Sequence, residues 1–405
     1  MHMARLRSYR FYISGALFPY LLILLACFAF GINLPLSAQG SGVVAGAERT
    51  DQYFGLLRGK KVALVVNPTS RIGGVHLVDT LLRAGLAIAC VFAPEHGFRG
   101  EAEAGEAVKG GVDPVSGVKV VSLYGDHKKP DDRDMSGVDI VVFDIQDVGA
   151  RFYTYISTLQ YMMEACAKRK LTLVVLDRPN PHGHYIDGPV LDTAFRSFVG
   201  MQPIPVVHGM TVAEYAGMLN GEGWLTGGGF CDLHVVKMLD WSHDAGYTLP
   251  VPPSPNLPND YAIRLYPSVC FFEGTAVSLG RGTEFPFQCY GYPDFRDGHF
   301  SFTPVPIKGK ALKPLYEGQL CGGVDLRPYV RDDRPDSLML GLLVSAWKNY
   351  PDRGRFFNSF FDKLAGTSKL REQIESGMSA QQIRESWQKD LVIFSKIRTR
   401  YLLYP

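Results

Sequence analysis

The sequence predicts an α/β protein: a parallel, doubly wound sheet followed by a smaller closing α/β unit. Short apolar runs rich in valine recur through the first half of the chain. Stretches of helical spacing separate them, and the runs end in glycine, proline or clustered polar residues. Strands alternating with helices at this spacing build a parallel sheet buried on both faces. The chain has 405 residues, too many for one ordinary core, and its 46% hydrophobic and 20% charged content can fill two.

The first 38 residues stand apart. Arg5, Arg7 and Arg10 precede an apolar run over 11–32, and Leu36-Ser37-Ala38 offers a cleavage site. That is the pattern of an export signal. It predicts a periplasmic or exported protein with no stable membrane span after removal, whereas an uncleaved run is long enough to span. Leu24-Leu25-Ala26-Cys27 also resembles a bacterial lipoprotein signal, which would put a lipid anchor at Cys27. The formal net charge of +2 includes those three arginines; without them 39 basic residues face 40 acidic ones, a net of −1. No basic field for nucleic acid remains. Cys90, Cys166, Cys231, Cys270, Cys289 and Cys321 follow, an even set that permits disulfides in an exported chain. None has Cys-x-x-Cys spacing, and Cys90 and Cys166 fall on an expected strand and helix, so most read as small buried apolar residues.

The first strand is 61–66, a valine-rich run ending at Asn67-Pro68-Thr69-Ser70. Leu77, Leu81 and Leu82 then recur at helical spacing, and Gly85 marks the helix end. The second strand, 86–92, opens into Pro94-Glu95-His96-Gly97-Phe98-Arg99-Gly100. After a glycine-rich excursion, 118–123 is a third strand running into Tyr124, and 138–143 a fourth ending at Asp144-Ile145-Gln146-Asp147-Val148-Gly149-Ala150-Arg151. Phe152, Ile156, Leu159 and Met163 line one face of the next helix, whose basic end at 168–170 suits the negative terminus of the dipole. The fifth strand, 171–176, ends at Asp177-Arg178-Pro179-Asn180-Pro181.

Beyond Gly188 the pattern loosens. Pro203 and Pro205 mark an extended segment ending at His208-Gly209, and Thr211 with Glu214 forms a capping box, which makes Glu214 a cap. Residues 233–236 are a further strand, and five prolines over 250–258 make a stiff crossing that holds Ser254 and Asn256. The division is therefore an export signal over 1–38, an N-terminal domain over 48–258 and a smaller C-terminal domain over 259–405. In the latter, Gly274, Gly280 and Gly282 permit close approach of backbone to a ligand, beside Glu273, Ser278, Arg281 and Glu284. Helices are expected over 338–348 and 379–390, and Phe356, Phe357, Phe360 and Phe361 read as core.

Asn67, Glu95, His96, Asp144, Asp147, Arg151, Asp177, Arg178 and Asn180 all fall where strands end, on the rim at which doubly wound sheets bind ligands. No Gly-x-Ser-x-Gly, Gly-x-x-x-x-Gly-Lys, Gly-x-Gly-x-x-Gly or His-Glu-x-x-His motif occurs, so serine esterase, nucleotidase, nicotinamide and zincin readings lack their signatures. Asp144, Asp147, His96 and Glu95 can be assembled into a metal site on paper, but no spacing fixes ligand geometry, so neither metal nor cofactor is expected. Carboxylates, arginines and asparagines beside Tyr153, Tyr155 and Tyr266 suit a sugar, whose hydroxyls need paired donors and acceptors while its C–H faces stack. Hydrolysis of a glycoside ordinarily needs one carboxylic acid to protonate the leaving oxygen and a second as base or nucleophile. Glu95, near apolar strand ends and Phe98, suits the acid; Glu273, after two phenylalanines, suits the partner, with Asp147 in reserve. Two other readings stand beside this one: a sugar carrier without catalysis, and a metal-dependent hydrolase of another bond.

Asn67-Pro68-Thr69, the Pro94 to Gly100 stretch, Asp144 to Tyr155, Asp177 to Pro181, Glu273-Gly274-Thr275 and Gly280 to Thr283 together resemble the exo-β-N-acetylmuramidase family, from about Gly55 to the C-terminus. The resemblance implies a Rossmann-like N-terminal domain, a smaller α/β C-terminal domain and an active site between them. It further implies release of N-acetylmuramic acid (MurNAc) from the non-reducing end of peptidoglycan fragments, muropeptides or MurNAc-GlcNAc. Glu95 would be the catalytic acid, with Glu273 and His96 beside it. Asn67, Arg99, Asp147, Arg151, Tyr153, Tyr155, Arg178, Asn180, His208, Asn256, Ser278 and Arg281 are the expected substrate contacts. The lactyl carboxylate needs a cation, and Arg151, Arg178 and Arg281 compete for that role.

Overall fold

The computed structural model describes residues 42–99, 110–295 and 298–405. The signal, its cleavage site and Cys27 lie outside the described residues. Residues 43–405 cluster as one unit, built on a seven-stranded sheet. Its strands are β1 (Lys61–Val66), β2 (Ala87–Ala93), β3 (Gly111–Val112), β4 (Lys119–Ser122), β5 (Ile140–Asp144), β6 (Thr172–Leu176) and β7 (Asp232–Val236), in the order β3-β4-β2-β1-β5-β6-β7. All neighbours are parallel except β3 and β4, so the expected parallel doubly wound sheet is present with one antiparallel edge. Strand order reverses direction between β1 and β5, where Val66 pairs with Asp144. A crevice opens at the carboxyl ends of strands at such a switch point.

The valine runs are continuous because both faces are buried. Ala63, Val65, Phe92, Val141, Phe143 and Val175 face one core, while Val62, Leu64, Val91, Val142 and Val174 face the other. Helix α1 (Leu77–Arg83) covers the second face; α2 (Tyr155–Arg169) and α3 (Val212–Gly221) cover the first. The capping box of α3 forms as expected, with Glu214 N donating to Thr211 Oγ1 at 3.2 Å and Thr211 N to Glu214 Oε2 at 2.9 Å. Glu214 also accepts from Leu403 N at 2.8 Å, and the Tyr404 hydroxyl donates to Asp177 Oδ2 at 2.7 Å. The C-terminal tail thereby covers Asp177, whose carboxyl burial pushes up to about 7, and removes it from the open rim.

The smaller part begins with α4 (Asp260–Val269). It continues through a three-stranded antiparallel sheet, β8 (Cys289–Tyr292), β9 (Phe300–Phe302) and β10 (Cys321–Asp325), in the order β8-β10-β9. Its helices are α5 (Leu340–Asn349), α6 (Phe361–Ala365), α7 (Lys369–Glu375), α8 (Ala380–Ser386) and α9 (Gln388–Arg398). Phe271, Phe272, Phe356 and Phe361 share one apolar cluster with the first face of the large sheet. The expected helix over 379–390 is two helices meeting at Trp387, whose ring is buried. The six cysteines among the described residues are free thiols, all buried.

Candidate active site

Pro94 to Gly97 form a tight turn just past β2, closed by Gly97 N donating to Pro94 O at 3.1 Å. His96 occupies its third position with φ 72°, a left-handed conformation uncommon outside glycine. Such local strain persists where surrounding structure over-determines it. The turn leaves Glu95 at its second position, on the wall of a cavity of about 400 Å³. His96, Tyr153, Tyr155, Ser254, Asn256, Tyr266, Glu273, Arg281, Phe287 and Phe360 line the same cavity. Glu95, Glu273 and Arg281 are thus brought together from the two parts of the chain.

Burial pushes the Glu95 carboxyl above its ordinary value; a hydrogen bond from Tyr124 and the charges of Arg281 and Lys128 offset this only in part. A carboxyl so placed keeps its proton to higher pH than an exposed one. Glu273 follows α4 on a short 3₁₀ turn and pairs with Arg281 through Nη1, while Cys270 Sγ lies 3.6 Å from its Oε2. The two carboxyl groups therefore stand in different settings. Glu95 is half-buried with a tyrosine hydroxyl beside it, and Glu273 is ion-paired with Arg281. Tyr153 and Tyr155 sit edge to face with centroids 4.9 Å apart, and Tyr153 Oη donates to Pro253 O at 2.8 Å. Burial raises the Tyr155 phenol, with the Asn67 amide opposing this and the nearby Glu95 charge adding to it. Asn67 does not line the cavity; it is buried, its Oδ1 accepting from Thr69 N at 2.9 Å.

Several expected contacts lie elsewhere. Arg99 is held by two carboxylates, its Nη2 2.9 Å from Asp79 Oδ1 and 2.8 Å from Asp113 Oδ2. Arg178 makes a two-pronged pair with Asp144, Nε–Oδ1 2.6 Å and Nη2–Oδ2 2.9 Å, closing the switch point. Arg151 is buried and donates to four backbone carbonyls, Pro189, Ile204, Leu364 and Ala365, at 2.7–2.9 Å. Asn180 bridges Met210 O and His182 N. His208 is buried, its imidazole pulled down to about 3 by desolvation, with Nδ1 accepting from Met210 N. Asp147 is buried beneath the loop, its carboxyl pushed up to about 7 by burial while it accepts from Gly149 N at 2.6 Å. Ser278 lines a separate cavity of about 470 Å³ that shares only Glu273 and Arg281 with the first. Arg99, Arg151, Arg178 and Asn180 are taken up by carboxylates or backbone, contacts that a one-dimensional reading cannot register.

The glycines also take a different role from the expected one. A Cβ on Gly274 would lie 2.4 Å from Phe361 Cα, and one on Gly282 2.6 Å from Val305 O. At both positions the protein's own backbone makes the close approach. At Gly149, φ 73°, a side chain does the crowding: a Cβ there would meet Asn180 Oδ1 at 2.1 Å. Gly149→Ala should cost about 1–3 kcal/mol by overpacking and backbone strain, read as a lower melting temperature.

Tyr124, Lys128, Ser254, Leu257, Phe287 and Phe360 act on the cavity without having been assigned to it. Tyr124 ends the third expected strand, the same signal that marked Glu95; Phe360 is partly exposed on the wall, where core packing was expected. Among the described residues no three His, Cys, Asp or Glu side chains gather as metal ligands. A larger cavity of about 570 Å³, walled by Trp224 and Trp387, contains none of the expected site residues.

Residues 62–261 match the family profile described as Exo-beta-N-acetylmuramidase NamZ, N-terminal, and residues 264–404 match its C-terminal counterpart. A Bacillus subtilis (strain 168) protein named peptidoglycan β-N-acetylmuramidase NamZ is 40% identical over 377 residues, covering 87% of this chain and 89% of the relative. The crystal structure of a DUF1343 family protein from Bacteroides fragilis NCTC 9343 superposes with TM-score 0.82 at 44% identity, covering 90% of this chain and 99% of that one. A second DUF1343 protein from the same organism gives TM-score 0.78 at 29% identity over the same shares, 90% and 99%. With both halves matched in order and a relative 40% identical along most of its length, the chain belongs to the NamZ exo-β-N-acetylmuramidase family and is a peptidoglycan glycosidase.

Proposed function

We propose that the enzyme releases terminal MurNAc from the non-reducing end of peptidoglycan fragments such as MurNAc-GlcNAc, with Glu95 as the acid. The observation that carries this reading is the raised Glu95 carboxyl on the wall of a cavity it shares with an ion-paired Glu273. Glu95 gives its proton to the glycosidic oxygen as the C1–O bond breaks, and water ends up on C1. Glu273 is the second carboxylate, and Tyr153, Tyr155 and Tyr266 supply phenol edges and hydroxyls for the sugar. His96 fixes the turn that presents Glu95. The basic and then apolar opening of the chain supports action on wall fragments outside the cytoplasm.

Of the three arginines weighed for the lactyl carboxylate, Arg151 and Arg178 are spent on carbonyls and on Asp144, while Arg281 lines the cavity. Among the described residues its one hydrogen bond goes to Glu273 through Nη1, and its other N–H groups can meet the lactyl group. Arg281→Met should lower kcat/KM on a chromogenic muramide by about 100-fold or more, and on the matching N-acetylglucosaminide much less. The proposal as a whole is tested on a glycan strand with MurNAc at its non-reducing end, followed by mass spectrometry. Free MurNAc as the first product supports it, and internal fragments contradict it.

A further inference from the structure

Ser254, Pro255, Asn256 and Leu257 form a tight turn, with Leu257 N donating to Ser254 O at 3.1 Å and proline at the position where its fixed φ is favoured. Asn256 lines the catalytic cavity and is 5% exposed. Its Nδ2 donates to Lys310 O at 2.9 Å, which sets the orientation of the amide and leaves Oδ1 as its other end. Oδ1 is buried, and among the described residues nothing donates to it. A buried acceptor without a donor is costly. On the wall of a sugar cavity, the donor it lacks is one that a ligand can bring.

On the reading above, that ligand is a muramic acid residue. Its O3 carries the lactyl ether and has no hydrogen, so the donors are the acetamido N–H, the 6-hydroxyl and the 4-hydroxyl. Only a residue at the non-reducing end has a hydrogen on O4, because an internal residue uses that oxygen in its next glycosidic bond. An acceptor-only group facing O4 therefore finds a donor at a chain end and none inside the chain. We propose that Asn256 Oδ1 accepts the hydrogen bond of the terminal 4-hydroxyl, and that this contact restricts the enzyme to chain ends. The inference rests on the terminal-release reading and adds the residue that enforces it.

The test compares 4-nitrophenyl β-MurNAc with its 4-deoxy and 6-deoxy analogues, using the full-chain wild type and Asn256→Leu. Wild type should lose about 10- to 100-fold in kcat/KM on the 4-deoxy compound. Asn256→Leu should lose a similar factor on the parent and then treat parent and 4-deoxy compound alike. Its preference for the parent over the 6-deoxy compound should match that of wild type. A merely structural asparagine would lower every substrate by one factor and leave the 4-hydroxyl preference intact, which would overturn the proposal. So would a wild type indifferent to the 4-hydroxyl, a comparison that needs no variant. If wild type releases nothing from the parent, the terminal-release reading itself fails, and this inference falls with it.

Discussion

Glu95→Gln is expected to lower kcat/KM on MurNAc-GlcNAc by about 10²–10⁴-fold, the contribution of a placed general acid, with little change in melting temperature. Glutamine keeps the volume of the side chain and an oxygen for the Tyr124 hydroxyl, so the turn over Pro94 to Gly97 should stay closed. What is lost is the proton. The pH dependence carries its own sign. Burial raises the Glu95 carboxyl, so the protonated form persists above the usual glutamate range, and kcat/KM should fall as pH rises through that raised value. The residual rate of the glutamine variant should lack this descending limb.

Arg151→Leu is expected to cost about 3–5 kcal/mol or more, the largest stability loss among the residues discussed. The fully buried guanidinium donates to Pro189, Ile204, Leu364 and Ala365 carbonyls, tying the loop after β6 to helix α6 in the smaller part. Leucine would leave four buried acceptors without those donors. Gly200 and Gly366 pack closely against the arginine, with a Cβ on Gly366 only 2.7 Å from Nη2. Chemical denaturation should show a lower midpoint. Activity should survive at low temperature, since Arg151 does not line the cavity.

The strands were legible because burial on both faces writes itself as unbroken valine runs. Residues 61–66 are a strand to the residue, and the other parallel strands end within two residues of where the apolar runs do. Helix α4 was not legible: it follows five prolines and contains Pro267 in its own last turns, and its stability comes from Ile263, Leu265 and Val269 packing into the core. At the site, Glu95, Glu273 and Arg281 could be singled out because they follow apolar runs or sit between glycines. The fate of Arg99, Arg151 and Arg178 could not, because the carboxylates and carbonyls that consume them come mostly from distant segments. Resemblance to the family raised all of these residues together. Only the fold separates the ones that meet the cavity from the ones that hold it up.

In the proposed reaction Glu95 supplies the proton to the leaving oxygen. The most direct test of this step is the first-turnover rate of Glu95→Gln on a 2,4-dinitrophenyl muramide, whose leaving group needs no protonation, set beside MurNAc-GlcNAc, whose leaving group does. If Glu95 is the acid, dinitrophenolate should leave near the wild-type rate while cleavage of the disaccharide is almost completely lost. An equal loss on both substrates, or none on either, would contradict that role.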